Sequence, residues 1–142
     1  MSNYYLDIET TGLNPIHDQI ITIQYAKLDK TTGKKLEDLH ILKSWEFDSE
    51  KSLIKQFMVE SDIVSSDRFS FVAIGYNLSF EHKFFSHRCA ANSLYPIDII
   101  TRPHIDLHPI AIMINSGDFK ETTLSAFTNK KHNGTQIPIW YD

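Results

Sequence analysis

The sequence has little of several features that define other classes of protein. Cys89 is the single cysteine among 142 residues, which excludes a disulfide framework and a cysteine-based zinc site and fits a reducing, cytoplasmic location. No apolar run approaches the roughly 18 residues of a membrane span, and no signal-like segment precedes the first apolar run. The formal net charge is −4, so any contact with nucleic acid must be local and metal-assisted rather than made through a broad basic surface.

Apolar residues are abundant enough for one folded domain. They make up 42% of the chain, its length suits one core, and no repeat or linker divides it, so we expect a single domain over 1–142. Hydrophobic periodicity predicts strands at 3–7, 19–27, 35–45, 69–75 and 105–107, and helices at 49–62, 79–92, 107–114 and 122–131. This order predicts an α/β fold with a mixed sheet, in which three antiparallel strands are followed by parallel strands added through helices.

The most informative segment runs from 4 to 15 and contains two acids separated by one residue, Asp7 and Glu9. In a strand, side chains at i and i+2 share a face, so the two carboxylates lie side by side. Adjacent carboxylates repel, and their unpaired burial is costly. A divalent cation such as Mg²⁺ relieves both problems, because it takes oxygen ligands. An Asp-x-Glu pair alone is often a solvated surface feature, but this one ends a buried strand.

The residues after the pair make the motif more specific. With Thr10, Thr11 and Gly12, the segment resembles the Asp-x-Glu-Thr-Thr-Gly motif of the DnaQ-like 3′–5′ exonucleases, the DEDD family of the ribonuclease H-like superfamily. The resemblance implies that Asp7 and Glu9 bind two Mg²⁺ or Mn²⁺ ions flanking the scissile phosphate at a single-stranded DNA or RNA 3′ end. Two such ions stabilise the attacking and leaving oxygens of phosphodiester hydrolysis.

The same resemblance implies contacts with the end of the substrate. Backbone groups near Thr10 and Thr11, next to Gly12, would hold the terminal sugar. Leu13 follows the glycine, where the family often places a residue that wedges against the terminal base. An ordinary leucine of the hydrophobic core is the alternative interpretation of Leu13.

A second segment, Asn77 to Phe85, is similar to the family motif Asn-x-x-Phe-Asp-x-x-Phe-Leu at the start of a helix. Glu81 stands at the aspartate position, where it keeps the charge but adds a methylene; the resemblance makes it the third catalytic and metal-binding acid. A solvated glutamate near a helix N-terminus is the alternative. Asn77 and Phe80 are candidate substrate contacts. Asn77 also suits a helix-entry turn, and Phe80 is also expected in the core.

The third family motif, Tyr-x-x-x-Asp or His-x-x-x-Asp on a C-terminal helix, has no counterpart in the segment 132–142. One interpretation is a chain truncated before its last helix; the other is a naturally short, degenerate module. We therefore expect a 3′–5′ exonuclease domain of impaired activity, or alternatively a nuclease-like module that binds nucleic-acid ends or a protein partner. The sequence leaves the oligomeric state open.

Two further groups have structural interpretations. His104, Asp106 and His108 share a face in an extended segment and form an alternative metal site, but Asp106 is better placed to cap the helix that follows it. Cys89 falls on the apolar side of its helix and is expected to be an inert core residue.

Overall fold

The structure, a computed structural model, describes residues 1–117. In that range it contains strands β1 (Asn3–Thr10), β2 (Ile20–Leu28), β3 (His40–Lys43), β4 (Val72–Gly75) and β5 (His104–Asp106). It also contains helices α1 (Glu50–Ser61), α2 (Leu78–Ala91) and α3 (Leu107–Ile114), with a single 3₁₀ turn at Ser44–Glu46. The helix predicted at 122–131 and the segment 132–142 lie outside the described residues. None of the helices in the described range is long and apolar enough to cross a membrane.

The described strands form one mixed sheet in the order β3-β2-β1-β4-β5. β1 pairs antiparallel with β2, which pairs antiparallel with β3. β1 pairs in parallel with β4, and β4 in parallel with β5. The predicted α/β architecture of antiparallel strands followed by parallel additions is therefore confirmed, and β1 occupies the centre of the sheet.

The core lies on one face of the sheet, and β1 shows how the sequence directs it there. Leu6 and Ile8 are 1% and 4% exposed, whereas the alternating positions of β1 are only partly buried. Helix α1 covers this face, because Leu53, Ile54 and Phe57 are buried on one side of it. The Ser49 side chain accepts a hydrogen bond from the Ser52 N–H and so caps the start of α1.

Two predicted strands are shorter in the structure than the pattern indicates. In the predicted strand 35–45, Lys35 makes only an isolated bridge to Leu28, and the regular ladder begins at His40. Leu36 is 60% exposed, so the first part of this segment has no apolar face to bury. Residues before Val72 form a turn instead of a strand, since Ser70 N–H donates to the Asp67 carbonyl.

Candidate active site

Asp7 and Glu9 lie near the end of the central strand, on the face opposite Leu6 and Ile8. Asp7 is paired with Gln24 of β2, and Glu9 with Thr22. The register shifts between Glu9 and Thr10, where the chain leaves the sheet to form a loop. The strand therefore places both carboxylates on one side at the carboxyl end of a parallel pair, the usual position for sites in such sheets.

Tyr5 lies in the electric field of all three predicted acids. It precedes Asp7 by two residues and shares its face of β1. Burial raises the pKa of the Tyr5 hydroxyl, and the charges of Asp7, Glu81 and Glu9 each raise it further. All three predicted acids thus act on one hydroxyl. Sequence reasoning did not single out Tyr5, although its i, i+2, i+4 spacing with Asp7 and Glu9 places it on their face of the strand.

Glu81 is a buried carboxylate, so the interpretation as a solvated helix residue is wrong. Its side chain lies in the first turn of α2 and is 3% exposed. Its Oε2 has no hydrogen-bond partner in the described part of the chain. The pKa of Glu81 is raised from 4.5 to about 8, first by burial and then by the charges of Asp7 and Asp106, while backbone N–H groups oppose the rise.

The approach of α2 to β1 depends on a tight connection after β4. A Cβ on Gly75 would lie 2.6 Å from the Leu78 side chain and 2.8 Å from the Leu6 carbonyl oxygen, so only glycine allows this packing. Asp106, at the end of β5, accepts hydrogen bonds from the N–H groups of Asn77 and Leu78, at 2.8 and 2.9 Å. Three strands therefore fix the start of the helix that carries Glu81.

Asn77 and Phe80 have structural roles in this connection. Asn77 adopts the left-handed conformation, with φ 62° and ψ 49°, which asparagine tolerates better than most residues. This confirms the helix-entry interpretation, and its Oδ1 accepts a hydrogen bond from the Ser79 hydroxyl. Phe80 is partly buried against the core, with its ring centroid 4.8 Å from that of Phe84.

The loop after β1 is closed by its own polar groups. The Thr10 hydroxyl donates to the Gly12 carbonyl at 2.6 Å, and the Thr11 N–H donates to the Gln19 carbonyl at 3.0 Å. A Cβ on Gly12 would lie 2.4 Å from the Asp18 carboxylate. Leu13 is 85% exposed, so the interpretation of Leu13 as a core residue is wrong.

The carboxylates suit a divalent cation, although residues 1–117 contain no group of three or more His, Cys, Asp or Glu side chains already close enough to hold a metal ion. The Oε2 of Glu81 is buried without a partner, and the charge of Asp7 acts on the same group. A cation held by these carboxylates would supply the missing partner and remove their mutual repulsion. Mg²⁺ and Mn²⁺ fit this all-oxygen set of side chains.

The other candidate groups are structural. Asp106 caps α3 by accepting a hydrogen bond from the His108 N–H at 3.0 Å. His104 Nδ1 lies 2.9 Å from the Arg102 carbonyl oxygen, so the histidines and Asp106 do not form a metal group in the described range. Cys89 is fully buried, and burial raises the pKa of its thiol, as expected for a core residue.

Sequence comparison assigns the chain to a family. A family model described as the RNase H superfamily matches residues 4–142. Because this match spans nearly the whole chain, the protein belongs to the RNase H superfamily. Comparison with curated proteins finds no match.

Solved structures of exonuclease I share the fold at low sequence identity. The enzyme from Methylocaldum szegediense has a TM-score of 0.63 at 13% identity, over 96% of this chain and 37% of that chain. E. coli exonuclease I in complex with a dA16 oligonucleotide has a TM-score of 0.57 at 11% identity, over 81% of this chain and 30% of that chain. The chain thus spans 30% to 37% of these proteins. The predicted resemblance to DnaQ-like exonucleases is confirmed at the level of the fold.

Proposed function

We propose that the protein is a metal-dependent 3′–5′ exonuclease domain that hydrolyses phosphodiesters at the ends of single-stranded DNA or RNA. The observation that carries this proposal is the buried Glu81 carboxylate, whose Oε2 has no partner and which lies in the field of Asp7. A folded protein rarely keeps such a group without a function, because burying a carboxylate oxygen that has no hydrogen-bond partner is costly. Strongly perturbed carboxylates that share a site are typical of active sites.

In this proposal Asp7, Glu9 and Glu81 hold two Mg²⁺ or Mn²⁺ ions. When bound, the ions supply positive charge for the attacking and leaving oxygens of the scissile phosphodiester. The protein contributes three carboxylates on two rigid elements, β1 and α2. Rigid placement matters because metal sites and near-attack geometries tolerate only small displacements.

The 3′ end of the nucleic acid would lie against the loop that follows β1. Backbone groups of Thr10, Thr11 and Gly12 would hold the terminal sugar, with Asn77 and Phe80 flanking it from the start of α2. Leu13 projects into solvent at 85% exposure, so its side chain is available to contact the terminal base. E. coli exonuclease I has been solved with dA13 and dA16 oligonucleotides, which supports a single-stranded substrate for this related fold.

Cleavage of a labelled strand tests the proposal. The full chain with Mn²⁺ should shorten a 5′-labelled single strand from its 3′ end and release nucleoside monophosphates, but should leave a 3′-blocked strand intact. Asp7→Asn should lower the rate at least ~100-fold, because a metal ligand is lost. Asp48→Asn, the same change at an exposed aspartate, should leave it unaltered. Equal release by the wild type and Asp7→Asn would contradict the assignment.

A second function is a module that binds nucleic-acid ends or a protein partner without hydrolysis. Two observations favour it: Glu81 replaces the family aspartate, and residues 1–117 do not contain a preassembled group of three metal ligands. The same experiment separates the two functions. Saturable binding of the labelled strand in Mn²⁺, with no shortening after prolonged incubation, would select the binding module.

A further inference from the structure

Residues 11–19 form the loop after β1, which we call the end loop. A charged pair outside the loop, Arg88 and Glu50, holds it in place, and neither residue belongs to a recognised motif. Arg88 lies near the end of α2, seven residues after Glu81, and its guanidinium reaches across to the end loop. Its Nη1 donates to the carbonyl oxygens of Ile16 at 3.3 Å and Pro15 at 3.5 Å. Helix α2 therefore carries Glu81 in its first turn and contacts the end loop through Arg88, near its C-terminus.

Glu50 fixes the same guanidinium and the exit of the loop. Arg88 Nε and Nη2 donate to the two oxygens of Glu50, at 2.9 and 2.7 Å. The Oε1 of Glu50 also accepts the Ile20 N–H at 3.0 Å, where the loop enters β2. The pair thus connects α1 and α2 with the two ends of the segment from Pro15 to Ile20.

The pair is largely shielded from solvent, so water competes poorly for its hydrogen bonds. The side chains of Arg88 and Glu50 are 11% and 6% exposed, and the Glu50 carboxylate raises the pKa of Arg88. A guanidinium presents a planar fork of donors that matches a carboxylate and still has N–H groups left for carbonyls. A lysine has a single ammonium and cannot make both sets of contacts.

We propose that Arg88 and Glu50 are positioning residues that set the place of the end loop relative to the three carboxylates, and so the affinity for the 3′ end of the strand. This rests on the proposed function, because the end loop carries Thr11 and Leu13, the proposed contacts with the terminal nucleotide. Neither member of the pair touches the substrate. Their effect passes through the backbone of Pro15, Ile16 and Ile20.

Arg88→Lys tests the inference, because it keeps the positive charge and the helix propensity but loses the fork. Arg68→Lys is the matched control: it makes the same change at an exposed arginine that donates to the Thr101 carbonyl, away from the loop. Two quantities are measured at low temperature on folded protein. One is amide hydrogen exchange of residues 11–20 without substrate or metal, and the other is KM and kcat on a single strand with Mn²⁺.

For Arg88→Lys we expect exchange of the loop amides to be at least ~10-fold faster, and KM to rise at least ~5-fold with kcat within ~2-fold. Arg68→Lys should change neither. A purely structural role would reduce the folded fraction but leave KM of the folded molecules unaltered. Wild-type exchange or wild-type KM in Arg88→Lys therefore overturns the inference. If the wild type cleaves no strand but loop exchange is still accelerated in Arg88→Lys, the proposed function is rejected, while the role of Arg88 in holding the end loop stands.

Discussion

Two buried glutamates on neighbouring helices, Glu50 in α1 and Glu81 in α2, differ in their hydrogen-bond and charge partners. Glu50, with 6% of its side chain exposed, accepts hydrogen bonds from Arg88, Asn92 and the Ile20 N–H. Glu81 is 3% exposed, but its Oε2 has no partner in the described part of the chain. Its charged neighbours are the acids Asp7 and Asp106. One carboxylate keeps its charge because the protein neutralises it, while the other is held in its protonated form to about pH 8 by burial and by the neighbouring acids.

The comparison distinguishes a buried charge that the fold compensates from one that the proposed function uses. A carboxylate with a bidentate arginine and a backbone donor has its requirements met by the fold. A carboxylate buried beside another acid makes the fold less stable unless it binds a proton or a cation. Removing the partner of Glu50 should therefore destabilise the protein, whereas removing the charge of Glu81 should stabilise it in the absence of metal.

The largest effect is expected for Arg88→Met, which leaves Glu50 buried without its cation. We expect a loss of about 3–5 kcal/mol of unfolding free energy, as measured for other buried pairs that lose one member. Urea denaturation at pH 7 measures it. Arg68→Met should fall within about 0.5 kcal/mol of wild type, because the side chain is exposed.

A double variant sharpens this prediction. Adding Glu50→Leu to Arg88→Met removes the stranded charge, so part of the lost stability should return. The recovery stays incomplete, since Glu50 also accepts the Ile20 N–H. Additive losses from the two substitutions would show that the pair does not act as a unit.

The next largest effect is stabilisation of the folded protein by divalent cations, which should depend on Glu81. At a Mn²⁺ concentration 100 times the Kd, the native state should gain about 2.7 kcal/mol, because the cation binds folded protein in preference to unfolded protein. Thermal unfolding with and without Mn²⁺ measures this gain. Glu81→Gln should lose most of it, and Glu46→Gln, at an exposed glutamate, should keep it. Equal gains in both variants would contradict the metal site.

The pH dependence of stability follows from the raised pKa of Glu81. The group holds its proton in the folded state up to about pH 8, while the unfolded chain releases it near 4.5. The folded state therefore binds more protons in this window, and stability falls as pH rises through it. Without metal, we expect a loss of about 2 kcal/mol between pH 6 and pH 8 from this group.

The control for this pH effect is Glu81→Gln, which removes the titrating group. The unfolding free energy of the variant, measured by urea denaturation, should fall less between pH 6 and pH 8 than that of the wild type. At pH 8 it should be higher than the wild-type value. Mn²⁺ should flatten the wild-type slope, because the cation binds the deprotonated carboxylate and displaces its proton. Parallel pH profiles for wild type and Glu81→Gln would show that Glu81 ionises normally.

The two glutamates also differ in how far the sequence predicts them. Glu81 lies in a local motif, four residues after Asn77, and β1 carries Asp7 and Glu9 in a pattern of period two. Local hydrophobic spacing predicts the order of strands and helices, and the resemblance of the two motifs to a known family implies the three acids. Local patterns do not predict burial. The sequence therefore left two questions open: whether Leu13 is a core residue, and whether Glu81 is solvated.

Glu50 and Arg88 are separated by 38 positions and match no motif. Their contact depends on how α1 and α2 pack on the sheet, which no local pattern contains. One signal was present: Arg88 lies beside Cys89 and follows Phe84 and Phe85 on the buried side of α2. A charged residue on such a face requires a buried partner, although the sequence does not say which one.

The smallest effect is expected for Asn92→Ala, which removes one of several donors to Glu50. The Asn92 Nδ2 donates to Glu50 Oε2 at 3.2 Å and to the Arg88 carbonyl at 2.9 Å. Loss of these bonds should cost about 1 kcal/mol of unfolding free energy, measured by urea denaturation beside the exposed control Ser86→Ala. In a Glu50→Gln background the cost should shrink, because the charge that strengthens the bond is gone. An unaltered cost in that background would show that Asn92 acts only as a helix-end residue, which would remove it from the set that neutralises Glu50.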